Sequence, residues 1–301
     1  MIHIRRSFSA KVIIWVLLIA VPVFLASVGV FFWQSHKLIR AEAVNRASGV
    51  LVSAMHRINR YLITAETATN SNAWMIEQAL SADTLLASTF RIASTNPYTD
   101  GCAISTEPGV VPDYPDGFMA VSFNHKGTVK SFIETDHSYF HERWYNIPRT
   151  QQKSVWVVSS DKKSELDMND DVMIASYPRP LYNNKGKFVG ILSTWLSLQH
   201  ISSLLAEVKP YPHSYYVLLD EQGRYVGHPD STRIAGKTIF SVADPQCEAD
   251  LIALGSEMIH GKRGNMSVII NQAKSLVCYM PVEGTPWSLA IVCPDSDILK
   301  G

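Results

Sequence analysis

The chain has 301 residues, and at roughly 100–200 residues per domain that allows two domains with a helical extension. Its 27 Lys+Arg balance 27 Asp+Glu, so no global charge draws it toward nucleic acid. Hydrophobic residues at 47% exclude a mainly disordered chain, and charged residues at 18%, against the roughly 25% usual for soluble domains, imply a segment that avoids water.

Residues 12–33 are that segment: VIIWVLLIAVPVFLASVGVFFW, 22 residues without a charge. About 20 apolar residues cross a bilayer core as a helix. Trp15, Phe31, Phe32 and Trp33 put aromatic rings near its ends, where amphipathic rings favour the interface. A secretory signal has an apolar core of only about 7–15 residues, so an uncleaved anchor is expected. Residues 1–11 are then a cytoplasmic N-terminus too short to hold a domain, and the bulk of the chain is extracytoplasmic.

Between His36 and Ser94 there is no proline and a single glycine, Gly49, which predicts a long stalk helix over 34–95, closed by Asn96-Pro97. Val44, Ala47, Leu51, Ala54, Ile58 and Leu62 recur three or four residues apart. Such a stripe serves either as a coiled-coil seam or as the face by which the helix packs on its own domain. The expected partner on the first reading is a second copy, giving a homodimer through the stalk helix.

From Gly101 the pattern changes to short alternating strands and turns. Asn183-Asn184-Lys185-Gly186 and Asp220-Glu221-Gln222-Gly223 each sit between two strands, so one strand–turn–strand unit recurs in two blocks. Lys209-Pro210-Tyr211-Pro212 punctuates them. The fold class expected is α+β: a distal module over 65–208 that shares the upper stalk helix, and a proximal module over 209–298. Cys102, Cys247, Cys278 and Cys293 lack zinc spacing. Equal hairpin arms around Glu283-Gly284 set Cys278 opposite residue 291, so a disulfide to Cys293 is out of register.

Gly236-Lys237-Thr238 lacks the upstream glycine of a phosphate loop, and no GxSxG or HExxH occurs. Acidic residues between Glu165 and Asp171 lack the turn glycine and closing glutamate of a calcium loop. No cofactor or metal is expected. What remains is an aromatic set, Tyr139, Phe140, Trp144, Tyr145, Trp156, Tyr177 and Trp195, interleaved with polar residues that include Glu142, Ser159 and Ser176. Apolar walls with a few convergent polar groups describe a small-ligand pocket, and equally a core with a polar rim.

At these residues the chain resembles the double Cache, PDC-type sensor domains of bacterial transmembrane receptors. The resemblance rests on Asn96-Pro97-Tyr98, Glu107-Pro108-Gly109, Trp144-Tyr145 followed by Pro148, Trp156, Tyr177-Pro178-Arg179-Pro180 and the run from Leu219 to His228-Pro229. It covers residues 35–298 and is nearest to receptors whose output is a SpoIIE-like serine phosphatase or a histidine kinase. It implies two tandem PAS-like antiparallel-sheet modules, an inner-membrane location with a periplasmic bulk, and a small-molecule ligand in the distal module. The candidate ligand-binding residues are Tyr139, Glu142, Trp144, Tyr145, Trp156, Ser159, Ser176, Tyr177 and Trp195. In the amino-acid-binding members an arginine stands at Glu142, a Tyr-x-Asp near Ser159-Ser160-Asp161 and an aspartate at Trp195. A neutral or cationic ligand, or none, fits these substitutions better than an α-amino acid. Rival readings are an exported, membrane-anchored enzyme, which needs a convergent nucleophile, base and orienting group that the sequence does not show, and an assembly protein that uses the long helix only to oligomerise.

Overall fold

The computed structural model describes residues 8–125, 127–134, 137–161, 172–234, 236–243 and 249–300. Cys247, the acidic positions between 165 and 171 and most of the expected cytoplasmic N-terminus lie outside them.

Helix α1 (Phe8–Gln78) runs for 71 residues. Its first part is apolar and exposed all round, with Phe24 68% and Phe31 75% accessible. By length and composition this part is long and apolar enough to cross a membrane. The single helix expected over 34–95 is in fact two. Helix α1 stops at Gln78 and α2 (Ala82–Thr95) restarts after Ser81, an extended N-cap residue whose Oγ donates to Thr84 Oγ1 at 2.8 Å. A serine stop of this kind carries no proline or glycine, so the composition of the segment gave no warning of it.

Six antiparallel strands follow: β1 (Gly101–Thr106), β2 (Met119–His125), β3 (Thr128–Glu134), β4 (Val157–Asp161), β5 (Val172–Tyr182) and β6 (Phe188–Ser197), in the order β3-β2-β1-β6-β5-β4. A 3-10 turn (His137–His141) and α3 (Arg143–Gln151) connect β3 to β4. Strand alternation assigns the two faces. Cys102, Ile104, Ala120 and Leu192 pack on Ala68, Ile76, Leu85 and Ile92 of α1 and α2. The odd-numbered positions of β1 and β2, with Ile191, Ser193 and Trp195 of β6, face the other way. At the irregularity near Gly190 the alternation is broken, and Val189 packs with the helices.

Helix α4 (Leu198–Ala206) leads to the second sheet, formed by β7 (Tyr215–Leu219), β8 (Tyr225–Gly227), β9 (Gly264–Ile270), β10 (Ala273–Pro281) and β11 (Ser288–Pro294) in the order β8-β7-β11-β10-β9. Helices α5 (Ser231–Ile234), α6 (Ile239–Val242) and α7 (Ala249–Ile259) lie between β8 and β9, and α8 (Asp295–Ile298) follows β11. The hairpin register places Cys278 opposite Ile291 and Leu276 opposite Cys293, as equal arms require. Cys102, Cys278 and Cys293 are free and buried.

Two turns show the repeat in atomic detail. Asn183 Oδ1 accepts the amides of Lys185 and Lys187, and Asp220 Oδ1 accepts those of Gln222 and Arg224. Each turn closes with a glycine at φ +72°, Gly186 and Gly223, a conformation that side chains disfavour.

The stalk stripe meets its own chain. Ala47, Leu51, Ala54, Ile58 and Leu62 are at most 5% exposed and form one core with Leu276, Cys278, Leu289 and Ile291 of the second sheet and Ile201 of α4. Burying a Leu or Ile is worth about 1.5–3 kcal/mol each, so freeing Leu51, Ile58 and Leu62 for a partner would cost roughly 5–9 kcal/mol. This corrects the coiled-coil reading of that stripe: it is an intramolecular packing face.

Candidate functional site

The nine candidate residues divide among four places. Tyr139, Trp144 and Tyr145 form a roof over one end of the first sheet, packed with Ile191, Met119 and Phe188. Tyr139 donates to the carbonyl of Thr106 at 2.9 Å, and Tyr145 to Glu107 Oε1 at 2.7 Å. Arg149 Nη2 holds Glu107 Oε2 at 2.8 Å, so this one carboxylate clamps α3 onto the end of β1. Burial, and then Glu107, push the Tyr145 phenol well above its usual range; burial does the same for Tyr139. Both hydroxyls are engaged within the protein.

Trp195, Ser176 and Ser159 lie on the floor, the sheet face turned away from α1 and α2. Trp195 pairs across the strands with Gly101 and Ser176, and Ser159 with Ile174. A β-carbon at Gly101 would come within 2.1 Å of the Trp195 ring, so glycine is what lets the indole lie on β1. Asp100 fixes this corner, donating its amide to the Trp195 carbonyl at 2.9 Å and accepting the Ser197 amide at 2.6 Å. Val121, Phe123 and Ala103 complete the apolar floor, with Met119, Phe132 and Ile174 partly exposed beside them.

Trp156 and Tyr177 do not join this set. They stand on the opposite face, where Trp156 Nε1 donates to Glu66 Oε1 of α1 at 2.7 Å. The Trp156 ring packs 5.4 Å from Tyr177 and 5.5 Å from Trp287 of the second sheet module. They form the junction between modules, which corrects their place in the expected pocket. Glu142 is exposed at the start of α3, and with Ser159 it borders a cleft of about 220 Å³ between the modules, whose far wall includes Arg224 and Asp220.

The sequence reading missed two floor residues. Five buried side-chain polar atoms have no hydrogen-bond partner among the described residues, and two of them, Ser105 Oγ and Ser193 Oγ, share the floor. Ser105 is 0% and Ser193 3% exposed. Register sets Ser193 opposite Ala103 and Ser105 opposite Ile191, so the hydroxyls are diagonal neighbours on the two central strands, between the aromatic roof and Trp195. A buried hydroxyl without a partner costs about 1–3 kcal/mol, and native structures retain few. A polar ligand or a water offsets that cost. The available signal was serine in the middle of apolar central strands.

The second sheet is covered on one face by its own helices. Its outer face is filled by Ile239, Leu251, Leu254 and Met258 against Val217, Val268 and Val292. The cavity left, about 20 Å³, holds roughly one water. His228 beside it is pushed down to about 4 by burial and then by Arg233, and is therefore neutral at pH 7.

No curated protein matches the chain significantly. Solved structures match its fold. The extracellular domain of soHK1S-Z6, a candidate histidine kinase, superposes with a TM-score of 0.73 at 17% identity, covering 88% of this chain and 99% of that one. That of mmHK1S-Z3, also a candidate histidine kinase, gives 0.69 at 19%, covering 88% and 97%. The ligand-binding domain of the Campylobacter jejuni chemoreceptor Tlp3, in complex with L-valine, gives 0.58 at 11%, covering 87% and 97%. The family model described as Cache domain matches residues 35–301, spanning both sheets and the helix behind them, and the chain therefore belongs to the Cache-domain family in its double-module form.

Proposed function

We propose that this chain is the sensing region of a bacterial transmembrane receptor, anchored by residues 12–33 in the cytoplasmic membrane with both modules outside it. A small molecule binds the floor of the distal module, and α1, which continues from that module into the anchor, carries the signal. The observation that supports this most is the pair of hydroxyls, Ser105 and Ser193, buried on an apolar floor with no hydrogen-bond partner among the described residues. A site with hydroxyls at its centre and Trp195 at its side suits an uncharged polar ligand with an apolar face. A domain of the same fold is known in complex with L-valine, which supports a ligand of that size.

The test is a metabolite screen by thermal melting of the full chain in detergent. A true ligand at 100 times its Kd raises Tm by several degrees, because it binds only the folded state. No stabilisation across sugars, amides, amines and carboxylates would favour an assembly role over sensing.

A second copy, if it pairs along α1, uses the face opposite the buried stripe. Ser53, His56, Arg60, Ile63, Thr67, Asn70 and Trp74 line that exposed face at three- and four-residue spacings, with Ile63 58% and Trp74 66% accessible. In a Cys247→Ser background, Thr67→Cys and Asn70→Cys are expected to give disulfide-linked dimers, and Ala47→Cys none. Dimers at Ala47→Cys as abundant as at Thr67→Cys would return the seam to the inner stripe.

A further inference from the structure

Just past the apolar run, α1 separates from the second sheet and leaves a groove of about 410 Å³. Trp33, Lys37 and Arg40 line it at helical spacing from α1, Lys274 from the start of β10, and Asp295, Ile298 and Leu299 from the end of the chain's described part. Three fixed cations thus face one carboxylate. The Lys37 ammonium stands 5.6 Å from the centre of the Trp33 ring, and Arg40 Nη2 donates to Ser267 Oγ. Beside His36, the rest of the lining is apolar, with Leu299 61% and Ile39 40% exposed.

We infer that this groove binds the headgroup of an anionic glycerophospholipid from the leaflet facing the sensing modules. The inference rests on the reading of residues 12–33 as the membrane span, and three observations carry it. The first is depth. Along the helix Lys37 stands about 6 Å and Arg40 about 10 Å above Trp33, and the headgroup layer beyond the hydrocarbon is roughly 5–8 Å thick. Lys37 therefore lies within that layer and Arg40 at its outer edge, within reach of a long side chain pointing back toward the N-terminus. The second is charge. An excess of cations converging on one space matches a phosphodiester, and Lys274 supplies one of them from the folded module, so the site exists only where the module meets the bilayer. The third is the mixed lining. Trp33, Ile298 and Leu299 add apolar contact to the same groove, which suits the acyl-chain side of a lipid and gives nothing to a free phosphate ion. Filling the groove would tie the proximal module to a fixed height above the membrane.

Native mass spectrometry of the full chain in dodecyl maltoside tests this, with phosphatidylglycerol, phosphatidylcholine of the same chains, and inorganic phosphate as probes. Phosphatidylglycerol is expected to bind at least ten-fold more tightly than phosphatidylcholine, and millimolar phosphate should not displace it. The Lys37→Gln/Arg40→Gln/Lys274→Gln variant should lose that preference. Lys274→Gln alone, at an exposed strand end, should weaken binding about five-fold, or about 1 kcal/mol. Equal binding of the two lipids by the wild type, or an undiminished preference in both variants, overturns the inference. Displacement by phosphate assigns the groove to a soluble anion and also overturns it. Flotation with phosphatidylcholine vesicles tests the span separately. A chain that floats without lipid preference sinks the groove alone, and one that selects phosphatidylglycerol without floating sinks the span alone.

Discussion

Replacing Trp156 by alanine should lower the free energy of unfolding by about 3–5 kcal/mol, the usual cost of removing a large aromatic from a core. The ring is 5% exposed and touches three parts of the chain at once: Glu66 of α1, Tyr177 of the first sheet and Trp287 of the second module. Its loss leaves a cavity at the junction and deprives the Glu66 carboxylate of its indole donor. Trp156→Phe keeps most of the volume and removes only the N–H, so it should cost about 1–2 kcal/mol. Denaturant unfolding of the full chain in detergent reads both values. The alanine variant should also unfold in two separated transitions, because the modules lose their principal aromatic link and cease to behave as one cooperative unit. If Trp156 instead lined a ligand pocket, its removal would cost little stability and much affinity. A loss below about 1 kcal/mol with a weakened ligand would return it to the site.

The contrast between Trp156 and Trp195 shows how far the sequence could be read. The aromatic set between Tyr139 and Trp195 was grouped by proximity in the chain, and proximity does not say which side of a sheet a ring occupies. Alternation does. Ser176 and Tyr177 are adjacent in β5, so they cannot both face one pocket. The Cys278–Ile291 pairing was legible because hairpin register depends only on counting from a turn whose glycine sits at φ +77°. The strand–turn repeat was legible because an Asx side chain followed three residues later by glycine specifies its own geometry.

The stalk stripe was not decidable in this way. An apolar stripe at three- and four-residue spacing is the same pattern whether it meets a second helix or the protein's own sheet. Only the burial of Ala47 and Ile58 by β10, β11 and α4 distinguishes the two. The motif around Glu107 was visible as a resemblance without a cause. The structure supplies the cause: a carboxylate that holds Tyr145 and Arg149 and so sets the roof over the floor. Ser105 and Ser193 escaped because serine in a strand is unremarkable until the pairing register shows both hydroxyls buried on one face.

Those two serines are expected to affect stability and binding in opposite directions. Without ligand, each Ser→Ala exchange removes a buried hydroxyl that has no partner among the described residues and leaves a methyl in its place. Stability should therefore rise by about 1 kcal/mol at each position, where an ordinary hydrogen-bonded serine would lose a similar amount. With a ligand found by the melting screen, each exchange removes one hydrogen bond in a site shielded from water. A neutral bond there is worth about 1.4 kcal/mol, so each single variant should bind about ten-fold more weakly and the double variant about a hundred-fold. The pair are close neighbours, so a departure from additivity in the double variant would mean that one ligand group bridges both hydroxyls. Melting curves of the four proteins, with and without ligand, contain the whole experiment. The wild type should be the least stable when empty and the most stabilised when loaded. If both exchanges destabilise the empty protein and leave the ligand shift unchanged, the hydroxyls are bonded to structural water, and the binding floor lies elsewhere on the sheet.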